Sequence, residues 1–278
     1  MTPSFSPPIR IDDPADPRIA GLVSIKERDL TGREGRFIAE GTVVLRMLAA
    51  AHHAGRGLAA EAILLLESRV AGVEAILADF PADVPVYVAA APVFDAIAGF
   101  NMHRGVLALG RRDGVAGRDA VIAALPASSL VLAACGISNH DNMGSLFRNA
   151  AAFGVDAVLM DETSCDPMYR KAIRVSVGSV LTVPFAREGS ASTLIGRLRD
   201  EGFAIWGLSP AGETDIGGIP PAARTALLVG TEGEGLPASI LNAVRTARIR
   251  QRPGLDSLNV SMAAGIALHQ VALINGRI

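Results

Sequence analysis

The sequence predicts an α/β protein in two parts: a small unit first, then a larger one built on a parallel sheet with helices on both faces. Three observations predict it. Short apolar runs of strand length alternate with segments of helical spacing along most of the 278 residues. The runs of the second half, such as SLVLAACGI, are continuously apolar, as expected of strands buried on both faces. Between the halves lies RRDGVAGRDAVIAALPASS, a Gly-, Arg-, Asp- and Pro-containing stretch with one short helical piece.

The elements follow in order. Residues 1–17 are rich in Pro, Asp and Ser and read as a flexible tail. Residues 18–113 form the first unit. There GTVVLRMLAAAHHAG places apolar residues at 44, 45, 48 and 51, a helical spacing, while EAILLLES, PVYVAA and RGVLALGRR read as strands. Residues 114–127 read as a linker, and residues 128–278 as the second unit. In it SLVLAACGI is a strand, and NMGSLFRNAAAFG is a helix with Met143, Leu146, Phe147 and Ala150 on one face and Gly154 as its stop. VDAVLMD is a strand, DPMYRKAIRVSVGS is helical, and LTVPFA follows. TLIGRLRDEG is a helix, FAIWGLS, TALLVG and ARIR are strands, and an apolar helix from about 260 closes the chain as a buried element.

Composition narrows the function. Half the residues are apolar and 19% are charged, which suits packed cores and argues against bulk disorder. A formal charge of -2 lends no support to nucleic-acid binding, although a local arginine cluster suffices for phosphate contacts. Cys135 and Cys165 form no CxxC pair and no zinc spacing, so no metal site is expected and both thiols read as free. With no signal-peptide core and no apolar run of membrane-spanning length, a cytoplasmic protein is expected.

Ligands of parallel α/β sheets bind beyond the carboxyl ends of the strands, which directs attention to loops 138–144, 208–212, 230–236 and 250–257. VGTEGEGLP runs from a strand into three glycines, lacks a P-loop ending, and suits equally a turn or a ligand loop; Glu232 there is a poor core residue. Asn142 and Arg148 sit six residues apart at the start of a helix, so they can project to similar faces; a helix cap and a solvated arginine are the plainer readings. His140 suits a loop hydrogen bond better than catalysis, and His269 reads as a core histidine. Ser257, Asn259 and Ser261 give the closing helix a polar first turn.

NMGSLFR (142–148), LLVGTEGEGL (227–236) and SLNVSMAAGIAL (257–268) together resemble the three motifs of the SpoU/TrmH family of RNA ribose 2′-O-methyltransferases, of the SPOUT superfamily. GREGRFIAEG (32–41) and NMHRGVLALG (101–110) more weakly resemble the L30e-like substrate-binding domain of such enzymes. The resemblance implies a SPOUT domain with a deep trefoil knot behind an L30e-like domain. It implies S-adenosylmethionine as methyl donor, rRNA or tRNA as substrate, and a homodimer with the RNA site across its interface. It places the donor at Gly230, Ile249 and Leu258, with Leu208 and Ser209 alongside, and catalysis at Arg148, Asn142, Glu232, Ser257 and Asn259. The family's proposed base matches Arg148, yet a guanidinium is not normally deprotonated in proteins, so orienting phosphate and hydroxyl is the better role. Two departures stand out: SNHD replaces the common Asp-Pro before the first motif, and IRQRPGLD stands where relatives more often have an Ile-Pro-Met type sequence, which brings Arg250, Gln251 and Arg252 to the donor loop. A catalytically silent RNA-binding protein of the same fold is the alternative. Arginines 28, 33, 36, 104, 111 and 112 form a candidate phosphate surface.

Overall fold

The computed structural model describes residues 7–23, 31–32, 34–98, 105–252, 254 and 257–278. They divide into two compact units, Met1–Val115 with Met168–Thr182, and Ala116–Pro167 with Val183–Ile278.

The first unit holds a five-stranded mixed sheet. Its elements are β1 (Ile9–Ile11), β2 (Arg36–Glu40), helix α1 (Thr42–Ala54), β3 (Leu58–Leu66), β4 (Val86–Ala89), helix α2 (Ala91–Ala98) and β5 (Val106–Arg112). The strand order is β1-β4-β3-β5-β2, with β4 parallel to β1 and β3, and β5 antiparallel to β3 and β2. The Pro- and Asp-rich composition of the amino terminus hides β1. Ile11 is fully buried and pairs with Ala89, so residues 9–11 are sheet rather than loose tail. His52 is part of the scaffold: its Nδ1 accepts from the Ala60 amide at 3.2 Å, its ring meets Phe80 edge-on, and burial lowers its pKa. Part of the weaker motif match, residues 101–104 and Arg33, lies outside the described residues, as do Arg28 and Arg104. Of the other surface arginines, Arg36 pairs with Glu61 at 2.7 Å and Arg111 with Asp113 at 2.5 Å, so part of their charge is already met by carboxylates.

Met168–Thr182 belongs to this unit as well. Its short helix Arg170–Val175 packs against β2, where Arg170 Nε donates to Glu40 Oε2 at 3.2 Å. The sequence suggests a continuous helical segment here, but the structure breaks it. Val177 has φ +54°, outside the right-handed helix, and Gly178 follows at φ +84° against the Met47 side chain.

The second unit is a seven-stranded sheet between helices. Helix α3 (Arg118–Ala123) leads into β6 (Ser129–Ala134), α4 (His140–Ala152) and β7 (Ala157–Met160). After the excursion come β8 (Phe185–Arg187), α5 (Ala191–Asp200), β9 (Ala204–Leu208), β10 (Thr214–Asp215), β11 (Arg224–Val229), β12 (Arg245–Arg248) and α6 (Val260–Ile274). The order is β10-β12-β9-β11-β6-β7-β8 and every pairing is parallel, the all-parallel sheet that the apolar runs predict. All residues of β6 and β7 are buried. Helix α3 lies in the stretch whose composition reads as linker, yet Val121 and Ile122 enter this unit's core beside Leu194, Ile195 and Leu198.

On α4, Met143, Leu146, Phe147 and Ala150 are fully buried, and the Phe147 ring meets Phe185 edge-on at 5.7 Å. Phe147→Ala is therefore expected to cost about 3–5 kcal/mol of unfolding free energy by leaving a cavity under the sheet. Chemical denaturation checks it; a loss below about 1 kcal/mol would show that the site collapses around the deletion.

Helix α6 packs along α4, and its small side is what permits this. A Cβ at Gly265 would stand 3.1 Å from the Asn149 amide nitrogen. The sequence suggests a helix buried all round, but only Ala264, Ala267, Leu268, Val271 and Ala272 are buried. Met262, Ile266 and Leu273 are exposed, and His269 stands at the surface with its ring edge-on to Phe153 at 5.5 Å, not in the core.

Cys135 and Cys165 are free. Burial pushes the Cys135 thiol up to about 12 and the Cys165 thiol up to about 11. Both should resist Ellman's reagent at pH 8 until denaturant is added. Rapid release of one equivalent from native protein would contradict this.

Candidate functional site

A cleft of about 410 Å³ opens at the carboxyl ends of β9, β11 and β12. Each strand delivers its wall as it ends. Leu208 closes β9 and Ser209 follows, its amide donating to the Ala247 carbonyl at 3.0 Å. Gly230 follows β11, Ile249 follows β12, and Leu258 precedes α6. All five residues expected at a donor line this one cleft, as do Glu232, Ser257 and Asn259.

Loop 230–236 is held shut by a reciprocal pair. Thr231 N donates to Gly235 O at 3.2 Å and Gly235 N to Thr231 O at 3.1 Å. Gly230 has no room for a side chain, since a Cβ would lie 2.2 Å from the Gly235 carbonyl carbon. The closed loop aims Glu232 at the start of α4 and α6.

Three predicted site residues meet there. Asn142 Nδ2 donates to Glu232 Oε1, and Asn259 Nδ2 donates to Asn142 Oδ1 and to Glu232 Oε1, both at 3.0 Å. Asn259 is also the N-cap of α6, its Oδ1 accepting from the amides of Ser261 at 2.9 Å and Met262 at 3.3 Å. That cap spends one side of the amide on the helix and turns the other toward the cluster. Ser261 serves the cap, its hydroxyl donating to Asn259 Oδ1 at 2.6 Å. The cap of α4 is Asn139, which takes the Asp141 and Asn142 amides and so leaves the Asn142 side chain for Glu232. Among the described residues, Glu232 Oε2 has no hydrogen-bond donor, so the carboxylate keeps an acceptor in reserve.

Arg148 is not brought to this cluster. It is exposed on α4, lines no part of the cleft, and has no ion pair or hydrogen bond among the described residues. Six residues turn a helix by about 600°, which leaves Arg148 about 120° from Asn142 rather than on a similar face. Asn149, one residue further, is the true face-mate: its Nδ2 donates to the Ser261 carbonyl at 2.7 Å and ties α4 to the capped turn. The seven-residue spacing was the available signal for it. Arg250 does not crowd the cleft either. With Arg248 it binds Asp215, and these hydrogen bonds hold the Asp215 carboxyl down at about 2. Gln251, which the sequence brings to the donor loop together with its two arginine neighbours, is the residue of that stretch that enters the lining. Among the described residues, no group of His, Cys, Asp and Glu could hold a metal ion, and no helix is long and apolar enough to cross a membrane.

A parallel α/β sheet with a glycine-walled cleft and an Asn–Glu–Asn cluster at its carboxyl edge defines a ligand-binding domain. The model of the SpoU rRNA methylase family matches residues 129–269, most of this unit. The chain is 37% identical over 270 residues to an uncharacterized tRNA/rRNA methyltransferase of Mycobacterium bovis, covering 93% of this chain and 89% of the relative. A Mycobacterium tuberculosis tRNA/rRNA methyltransferase is equally similar, 37% over 273 residues with the same coverage. The structure is similar to that of an RNA 2′-O ribose methyltransferase, with TM-score 0.74, 27% identity, and coverage of 97% of this chain and 100% of the other. It also shares its fold with an AdoMet-bound rRNA methyltransferase from Sinorhizobium meliloti, with TM-score 0.76, 22% identity, and coverage of 95% and 97%. The chain belongs to the SpoU rRNA methylase family and is an RNA methyltransferase of that family.

Proposed function

We propose that this protein methylates a ribose 2′-hydroxyl of rRNA or tRNA in the cytoplasm, with S-adenosylmethionine as donor, as a homodimer. The observation that carries the reading is the convergence of the three motif loops on one cleft, with the Asn142–Glu232–Asn259 cluster at its edge. The cleft fits the donor. Its volume is in the range of small-molecule sites, Leu208, Leu236, Leu241 and Ile249 offer an apolar wall for a base, and the buried Gln251 Oε1 has no partner among the described residues.

The donor supplies an activated methyl on a sulfonium centre. In the transfer the 2′-oxygen forms its bond to that methyl as the carbon–sulfur bond breaks, and the 2′ proton leaves. The chain's part is alignment. Gly230 lets loop 230–236 close on itself, and Asn142 and Asn259 fix Glu232 so that its spare oxygen faces polar hydrogens of the bound molecules. Ser257 adds a hydroxyl at the same edge. Arg148, a permanent cation with a planar fork, orients a phosphate and the target hydroxyl.

The homodimer reading is supported by Met262, Ile266 and Leu273, exposed apolar side chains on the helix that carries the capped turn. A second copy there would explain how Arg148, outside the cleft lining of its own chain, reaches a reaction. The proposal includes the trefoil knot in the second unit, consistent with β12 lying between β9 and β10. It also includes an L30e-like RNA-binding role for the first unit and, along the chain, a domain change near residue 114.

Mapping 2′-O-methyl positions in total RNA from cells with and without the protein tests the reading. Loss of one or a few ribose methylations is expected; an unchanged map would overturn it.

A further inference from the structure

We infer that Gln251 reads the exocyclic amine of the donor's adenine, making its carboxamide a specificity contact of the cleft; this rests on the donor reading above. Gln251 lines the cleft, and its Oε1 is buried with no hydrogen-bond partner among the described residues. A buried amide oxygen without a donor is costly, so one held by a residue that lines a cavity suits a ligand N–H or O–H. Its surroundings select which. Gln251 lies two residues past Ile249, on the side of the cleft walled by Leu208, Ala247 and Ile249, where the Ala247 carbonyl is already taken by the Ser209 amide. Glu232 and Glu234, on the opposing loop, are the carboxylates suited to the donor's ammonium group. Ribose hydroxyls, which both give and take hydrogen bonds, match Ser257 and the Asn259 edge. A neutral, buried acceptor against apolar side chains matches the neutral amine at the rim of a flat base.

Calorimetric titration of the intact protein with S-adenosyl-L-homocysteine and S-inosyl-L-homocysteine tests it, since the second has a carbonyl oxygen in place of the amine. Wild-type protein should prefer the adenosyl ligand by at least about tenfold, or about 1.4 kcal/mol. Gln251→Met should bring the two ligands within about twofold, while Gln251→Glu, which keeps an acceptor, should retain most of the preference. Undiminished preference in a folded Gln251→Met protein overturns the assignment and leaves the donor reading standing. Equal weakening of both ligands in that variant also overturns it, because the side chain would then act on another part of the ligand or on loop shape. Absence of binding of either ligand to wild-type protein overturns the donor reading, and this inference with it.

Discussion

Arg148→Ala is expected to lower methyl transfer by about a hundred- to a thousandfold or more while donor affinity stays within about twofold. Both halves follow from where the side chain is. It lies outside the cleft lining, so the donor loses no contact. It is exposed, so its removal should change stability by no more than about 0.5 kcal/mol. What remains is a cation without a partner among the described residues, on the helix that supplies Asn142. Arg148→Lys separates charge from shape: lysine keeps the charge and loses the planar fork, so it should restore only a small part of the rate. Single-turnover transfer to RNA, set beside calorimetric titration with S-adenosyl-L-homocysteine, checks both variants. Near-normal transfer by Arg148→Ala would remove Arg148 from the mechanism.

The same residue marks the limit of sequence reasoning. Residue spacing correctly puts Arg148 and Asn142 on one helix but cannot show that the productive partner of Asn142 is Glu232, ninety residues away. Long-range convergence was legible for a different reason. In a parallel sheet every strand ends on the same edge, so loops after β9, β11 and β12 must meet once the strands are recognised. β6, β7 and β11 were recognisable because burial on both faces demands continuous apolar runs. Features that depend on tertiary context were not. β1 is three residues of an otherwise polar tail, made a strand by the open edge of β4. The break at Val177 and Gly178 is imposed where the chain meets Met47. The half-exposed side of α6, with Met262, Ile266 and Leu273, is as apolar as its buried side, so hydropathy alone does not separate them. Gln251 is one of three polar residues in a row, and only the fold shows that Arg250 turns to Asp215 while Gln251 turns to the cleft.

Gly230→Ala should disable donor binding. The reason is steric rather than conformational, because Gly230 is not among the glycines with positive φ. An added Cβ would stand 2.2 Å from the Gly235 carbonyl carbon, 2.3 Å from the Leu236 nitrogen and 2.4 Å from the Gly235 oxygen. All three are backbone atoms, so no side chain can swing aside. Relief requires loop 230–236 to open, which breaks the reciprocal Thr231–Gly235 pair and carries Glu232 away from Asn142 and Asn259. Overpacking of this kind costs about 1–3 kcal/mol. Met by distorting the binding loop, the same cost becomes about a ten- to hundredfold loss of donor affinity. Transfer should fall further than affinity, because Glu232 is displaced as well. Gly196→Ala is the matched control: Gly196 lies within α5 and a Cβ there meets nothing within 4 Å. It should stabilise the protein by about 0.5–1 kcal/mol through helix propensity and leave donor affinity unchanged. Calorimetry on both variants decides the matter. If Gly230→Ala binds the donor as tightly as wild type, the loop is more pliable than its closed pair of hydrogen bonds implies, and the rigid presentation of Glu232 cannot be the basis of alignment.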